Sequence, residues 1–136
     1  MPHPRFAACV FDAYGTLFDV GSIASAAERL VPSHGAALGK LWRAKQLEYT
    51  WLASLMAAPG YARPDFRDVT AMALDYAVAA LVLPIGADAR ADLAAGYLRL
   101  ATYPDAHASL ASLAPLPRWI LSNGTRDMLD PLVAGS

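Results

Sequence analysis

An α/β fold with a helical bundle inserted after its first strand is what the 136-residue sequence predicts, and three observations carry that prediction. Two short apolar runs, Phe6–Phe11 and Trp119–Leu121, each end in a polar turn containing glycine, which is how strands buried in a parallel sheet read. Between them lie five helical stretches with no strand among them, the first four of which read as the inserted bundle. The chain is 56% hydrophobic and 17% charged with a formal net charge of −1, which fits one globular domain.

The same numbers exclude several classes. There is too little charge for a disordered tail, no basic excess for a nucleic-acid binder, and one cysteine where a disulfide scaffold needs several. Mean hydropathy is positive at +0.31, but alanine supplies much of it, and no apolar run approaches the ~20 residues of a membrane span. The segment Met1–Arg5 leads into an apolar run too short for a secretory leader. A soluble, cytoplasmic protein is therefore expected, with Cys9 as a small buried hydrophobe.

In chain order, Phe6–Phe11 is the first strand, closed by Asp12 and Gly15. Ser22 is placed to cap a helix running to about Val31, stopped by Pro32. Ser33 or His34 opens a second helix whose Leu38, Leu41, Lys45, Tyr49 and Leu52 recur at helical spacing, flanked by Trp42 and Met56 and ended by Pro59-Gly60. Asp65 caps a third, with Val69, Ala73, Tyr76 and Ala80 on one face, stopping before Pro84. A fourth spans Asp88–Leu100, and a fifth Asp105–Leu113 is broken by Pro115 and Pro117. Trp119–Leu121 is the second strand, and Arg126–Val133 begins another helix. Two parallel strands do not make a covered α/β sheet, so the expectation is a chain holding only part of its core.

Two clusters carry chemistry. Asp12 stands at the carboxyl end of the first strand, before a glycine turn, where open α/β sheets place their ligands. An aspartate there also serves as a plain turn cap. Ser122-Asn123-Gly124-Thr125 follows the second strand and reads equally as a helix N-cap. If the strands are neighbours, Asp12, Thr16, Ser122 and Asn123 converge: one carboxylate among hydroxyl and amide donors, suited to a nucleophile facing a developing negative charge.

Three segments, Phe11–Val20, Leu41–Trp51 and Leu121–Gly124, resemble the type II L-2-haloacid dehalogenases of the haloacid dehalogenase superfamily, in the family's order and across the length of the chain. The resemblance implies a Rossmann-like core, incomplete here, at residues 1–18 and 101–136, with an inserted helical-bundle cap at 19–100. It implies that Asp12 attacks C2 of a 2-haloalkanoate, expelling halide with inversion and forming an ester, which water hydrolyses to a 2-hydroxy acid. Arg43 and Asn123 would cradle the halide, Ser122 the substrate carboxylate, and Thr16 would orient Asp12. Tyr14, Leu47 and Phe66 would line the apolar pocket around the alkyl group, although each also suits an ordinary core. The implied partners are the haloacid, water and halide, with no nucleic acid or membrane, and a homodimer in the full-length protein.

Tyr14 separates this branch from its phosphatase relatives, which carry a second aspartate two residues after the nucleophile to protonate an alkoxide. Halide leaves without a proton, so that acid would be idle, and its loss weakens the case for magnesium. No cofactor or metal is therefore expected. The chain departs from the family at Ala44, where glutamine is frequent, and in the proline-rich segment 57–64, which blurs the placement of Phe66. The family's third-motif lysine and its fourth motif of serine, asparagine and aspartate have no counterpart here. Two alternatives stay open: a phosphatase of the same superfamily, and a non-catalytic remnant whose cap serves as an interaction or dimerisation module.

Overall fold

Strand β1 (Cys9–Phe11) and strand β2 (Arg118–Ile120) pair in parallel, with Val10 opposite Trp119 and Phe11 opposite Ile120. This computed structural model describes residues 6–56 and 58–136, so Met1–Arg5 and Ala57 lie outside the described residues. Both strands are three residues long, and β1 uses only the second half of the apolar run expected to form it. They are also not buried on both faces as expected. Val10 is 60% and Trp119 65% exposed, while Phe11 packs on the core from the other side. Apolar composition alone does not report which side of a sheet is covered. Cys9 is likewise a half-buried free thiol rather than a core residue.

The chain leaves and re-enters the strand region along one seam. After β1 a tight turn donates the Leu17 and Phe18 N–H groups to the Ala13 carbonyl, at 3.0 and 2.9 Å, and Gly15 supplies its positive φ of 95°. Asp19 N–H then bonds the Ala101 carbonyl at 2.7 Å, and Tyr103 N–H bonds that of Leu17 at 3.0 Å. Between these crossings the described residues form helices joined by turns and loops, with no strand among them, as the sequence predicts.

Helix α1 (Ile23–Leu30) begins after a 3-10 turn at Val20–Ser22. Ser22 does not cap it; its hydroxyl donates to the Asp19 carbonyl at 2.7 Å, and the Asp19 carboxylate accepts from Gly21 N–H. Helix α2 (Gly35–Leu55) is capped from α1: the Glu28 carboxylate accepts from the N–H groups of Ser33 and Gly35. That approach requires glycine, since a β-carbon on Gly35 would sit 2.3 Å from the Glu28 backbone nitrogen.

Helix α3 (Phe66–Ala80) starts at a capping box, in which the Asp65 carboxylate accepts from Asp68 N–H at 2.9 Å and the Asp68 carboxylate from Asp65 N–H at 3.1 Å. It buries Phe66, Val69, Thr70, Ala73, Leu74, Ala77 and Val78, while Tyr76 and Ala80, expected on the same face, are exposed. Helix α2 packs along it through Leu38, Trp42, Gln46 and Ala53. The apolar stripe therefore runs through Trp42 rather than beside it, and Leu52 and Met56 are exposed. Helix α4 (Ala87–Ala95) is shorter than expected because a 3-10 turn at Gly96–Leu98 takes over and buries Tyr97. Helix α5 (Ala106–Ser112) precedes β2, and α6 (Arg126–Ala134) follows it. One core, including Tyr14, Phe18, Trp42, Phe66, Tyr97 and Met128, joins the turn after β1 to the inserted helices and to α6.

Candidate active site

The parallel register settles the condition the sequence left open. Leu121 N–H donates to the Phe11 carbonyl at 2.9 Å, so the residues that follow each strand, Asp12 and Ser122, emerge at the same edge. Asp12 is exposed there, as is Thr16 on the turn after β1. Ser122 is half-buried, and its hydroxyl accepts from Gly124 N–H at 3.2 Å. Gly124 holds the two strand-end loops together: a β-carbon on it would lie 2.7 Å from Tyr14 Cε2. Asn123 is exposed and opens onto a small cleft shared with Phe66, Asp65, Arg63 and Thr50.

Arg43 reaches these loops from α2. Its Nη2 donates to the Tyr14 carbonyl at 3.1 Å and its Nη1 to Gln46 Oε1 at 2.6 Å. The guanidinium is thereby fixed two residues along the chain from Asp12, and a β-carbon on Gly15 would come within 3.6 Å of Nη2. A group that stays charged when half-buried and offers five N–H donors suits an anion site.

Below Arg43 lies a buried polar network. Gln46 is fully enclosed; its Nε2 donates to Thr70 Oγ1 at 2.6 Å and its Oε1 accepts from Tyr97 Oη at 3.3 Å. Thr70 Oγ1 donates in turn to the Phe66 carbonyl at 2.6 Å, and Trp42 Nε1–H donates to the Thr70 carbonyl at 2.8 Å. Around it stack aromatic rings: Tyr14 on Phe66 with centroids 5.0 Å apart, Tyr14 near Tyr97 at 6.0 Å, and Trp42 edge-on to Tyr97 at 5.0 Å. Burial, reinforced by the neighbouring Tyr97, pushes the Tyr14 phenol up to about 12, and its Oη is buried without a partner among the described residues. Burial likewise raises Tyr97 to about 12, against the opposing pull of Arg43.

Most residues singled out in the sequence thus gather at one edge. Asp12, Ser122 and Asn123 follow the paired strands, Tyr14 and Arg43 are bonded to each other, and Phe66 packs on Tyr14. Leu47 is half-buried, one residue past Gln46. Arg43 is bonded to Tyr14 and Gln46 rather than to Asn123. Gln46, Thr70 and Tyr97 were not anticipated, because a polar residue within a helical stretch reads as solvent-facing until its partners are known. Among the described residues no cluster of three or more His, Cys, Asp or Glu side chains gathers to hold a metal, and no helix is long and apolar enough to cross a membrane.

A carboxylate at a parallel strand end, a neighbouring strand followed by serine and asparagine, and a helical insertion carrying an arginine bonded to the intervening turn make up the candidate site. Over 129 residues the sequence is 54% identical to the (S)-2-haloacid dehalogenase of Xanthobacter autotrophicus, an alignment covering 95% of this chain and 49% of that protein. It is 43% identical over 129 residues to (S)-2-haloacid dehalogenase H-109 of Pseudomonas putida, covering 93% and 56%. The structure of the L-2-haloacid dehalogenase from Xanthobacter autotrophicus matches with a TM-score of 0.86 at 53% identity, over 96% of this chain and 52% of that one. The structure of that dehalogenase with chloropropionic acid covalently bound matches with the same TM-score. No protein-family model matches. The chain spans about half the length of the curated relatives it matches. Over the part it covers, the chain is similar in sequence and in structure to the L-2-haloacid dehalogenases.

Proposed function

We propose that the chain carries the nucleophile and cap portion of an enzyme that hydrolyses L-2-haloacids to D-2-hydroxy acids, with residues 19–100 as the cap over a core of 1–18 and 101–136. A carboxylate oxygen of Asp12 attacks C2 from the face opposite the halogen, the carbon–halogen bond breaks, and the halide departs with its electron pair. Water then adds to the ester carbonyl, releasing the hydroxy acid and restoring Asp12. Arg43 and Asn123 stabilise the departing halide, Ser122 holds the substrate carboxylate, Thr16 orients Asp12, and Tyr14, Leu47 and Phe66 face the alkyl group. No metal takes part in this scheme: halide needs no protonation on leaving, and Tyr14 stands where a second carboxylate would favour magnesium. The observation that carries the proposal is the common edge at which Asp12 and Ser122-Asn123 emerge, with Arg43 bonded to the adjoining Tyr14 carbonyl.

Tyr14 also weighs against a phosphatase, since a buried phenol raised to about 12 is a poor proton donor at the position that would serve an alkoxide. The family's third-motif lysine and fourth-motif serine, asparagine and aspartate have no counterpart in these 136 residues. One electrostatic donor is worth ~3 kcal/mol in a transition state, so the chain alone is expected to turn over far more slowly than its full-length relatives. Incubation with L-2-chloropropionate should release chloride slowly and leave an ester on Asp12, located by peptide mass spectrometry. Asp12→Asn should show neither. A chain that forms no adduct yet cleaves p-nitrophenyl phosphate with magnesium would establish the phosphatase instead, and a partner bound equally by Asp12→Asn would point to an interaction module.

A further inference from the structure

Two polar side chains, Gln46 on α2 and Thr70 on α3, are buried under Arg43 where apolar residues would pack as well. We propose that Gln46, locked in one orientation by Thr70 and Tyr97, is the positioning residue that presents the Arg43 guanidinium, still fully charged, to an anion at the strand ends. The identity of that anion as a haloacid or halide rests on the dehalogenase reading.

The direction of each hydrogen bond follows from the donor inventory. Thr70 Oγ1 has one proton and gives it to the Phe66 carbonyl, so toward Gln46 it only accepts. The amide must therefore turn its NH2 to Thr70, which aims its oxygen at Arg43 Nη1 and Tyr97 Oη, both donors. A flipped amide would set NH2 against a guanidinium and leave Thr70 without a donor. With Nη2 on the Tyr14 carbonyl, the guanidinium is held at two corners, from the cap helix and from the turn beside Asp12, and its remaining N–H groups are left for a ligand.

Neutrality of the amide matters as much as its geometry. A carboxylate at position 46 would grip the guanidinium at least as strongly, but its charge would offset the attraction that draws an anion. Glutamine anchors without neutralising, and among the described residues no carboxylate is bonded to Arg43.

The test combines side-chain NMR with ligand titration on the 136-residue chain. With 15N-labelled arginine, the Arg43 Nε–H should be as rigid as the backbone in the unaltered protein, mobile in Gln46→Leu and partly loosened in Thr70→Val. Both variants should bind L-2-chloropropionate about tenfold or more weakly, as expected for a lost charge-assisted hydrogen bond. Gln46→Glu should keep Arg43 rigid and still lose affinity, which an amide with a purely structural role would not do. An Arg43 as rigid in Gln46→Leu as in the parent, or undiminished binding by Gln46→Glu, overturns the proposal. If Gln46→Leu does not fold, the near-isosteric Thr70→Val carries the mobility measurement. If the unaltered chain binds no chloropropionate, the dehalogenase reading fails, while Arg43 mobility still decides whether Gln46 positions it.

Discussion

At Gly124 the available space is set by an aromatic ring. Its β-carbon would fall 2.7 Å from Tyr14 Cε2 and 3.1 Å from Leu129 Cγ, and Tyr14 is itself wedged between Phe66 and Tyr97. Gly124→Ala should cost about 1–3 kcal/mol, the usual penalty of overpacking, read as a lower denaturation midpoint. Gly35→Ala should cost more, because its β-carbon would meet the Glu28 backbone at 2.3 Å, and a backbone yields less readily than a ring. The reverse order would show that the two strand-end loops separate easily. Tyr14 offers a second measurement. Tyr14 and Tyr97 are each raised to about 12, so the folded state keeps them neutral while unfolded tyrosines ionise at ~10. Stability is therefore full below pH ~10 and falls as pH rises from there toward 12. Because Tyr14 Oη is buried without a partner among the described residues, Tyr14→Phe should be at least as stable at neutral pH and lose stability less steeply in alkali. A neutral-pH loss above about 1 kcal/mol in thermal or urea unfolding would mean the phenol makes a bond worth keeping.

The helices show where periodicity informs and where it misleads. Asp65 announces the start of α3 because an acidic residue before an amphipathic run has one local use, and the structure adds Asp68 as its reciprocal partner. Asp65→Ala should destabilise the protein by about 1 kcal/mol, measured by urea unfolding, and should loosen Phe66 and Thr70, which that first turn carries. The start of α2 falls where the sequence places it, at His34, but what caps it was not legible, since that is Glu28, on the preceding helix and reaching two N–H groups across a turn. The buried face of α2 was also misread for a definable reason. Of Leu38, Leu41, Lys45, Tyr49 and Leu52, which recur at helical spacing, Leu38 is buried as expected, but the face that packs on α3 also contains Gln46. A buried amide is tolerated because every polar atom of it is matched by Arg43, Tyr97 or Thr70, and such matching joins residues 24 and 51 positions apart. The motif loops were readable because strand end, glycine turn and polar cluster are all local; the network that holds Arg43 was not, because its members come from separate helices.

Taken together, the molecule has a well-enclosed helical portion and a strand pair with one open face. The parallel register puts Val10 beside Trp119, and alternation along β2 brings Leu121 to the same side; these are 60%, 65% and 74% exposed. Two strands alone are marginal in water, and adjoining apolar residues on one face attract apolar probes and other chains. Among the described residues the large apolar side chains of the insertion are mostly shielded by α2 on α3, so its stability does not depend on covering that face. The 136-residue chain should therefore enhance the fluorescence of a hydrophobic dye and sediment increasingly as oligomers when concentrated. Trp119→Lys with Leu121→Lys should lower both signals while leaving the helical circular dichroism and its thermal midpoint nearly unchanged, since surface changes of this kind are usually worth within about 0.5 kcal/mol. Dye binding that survives the double substitution would move the sticky surface to the exposed Trp51 and Leu55 of α2. A collapse of the helical signal would mean that the strand pair supports the inserted helices, contrary to the enclosed core that the α2 and α3 packing provides.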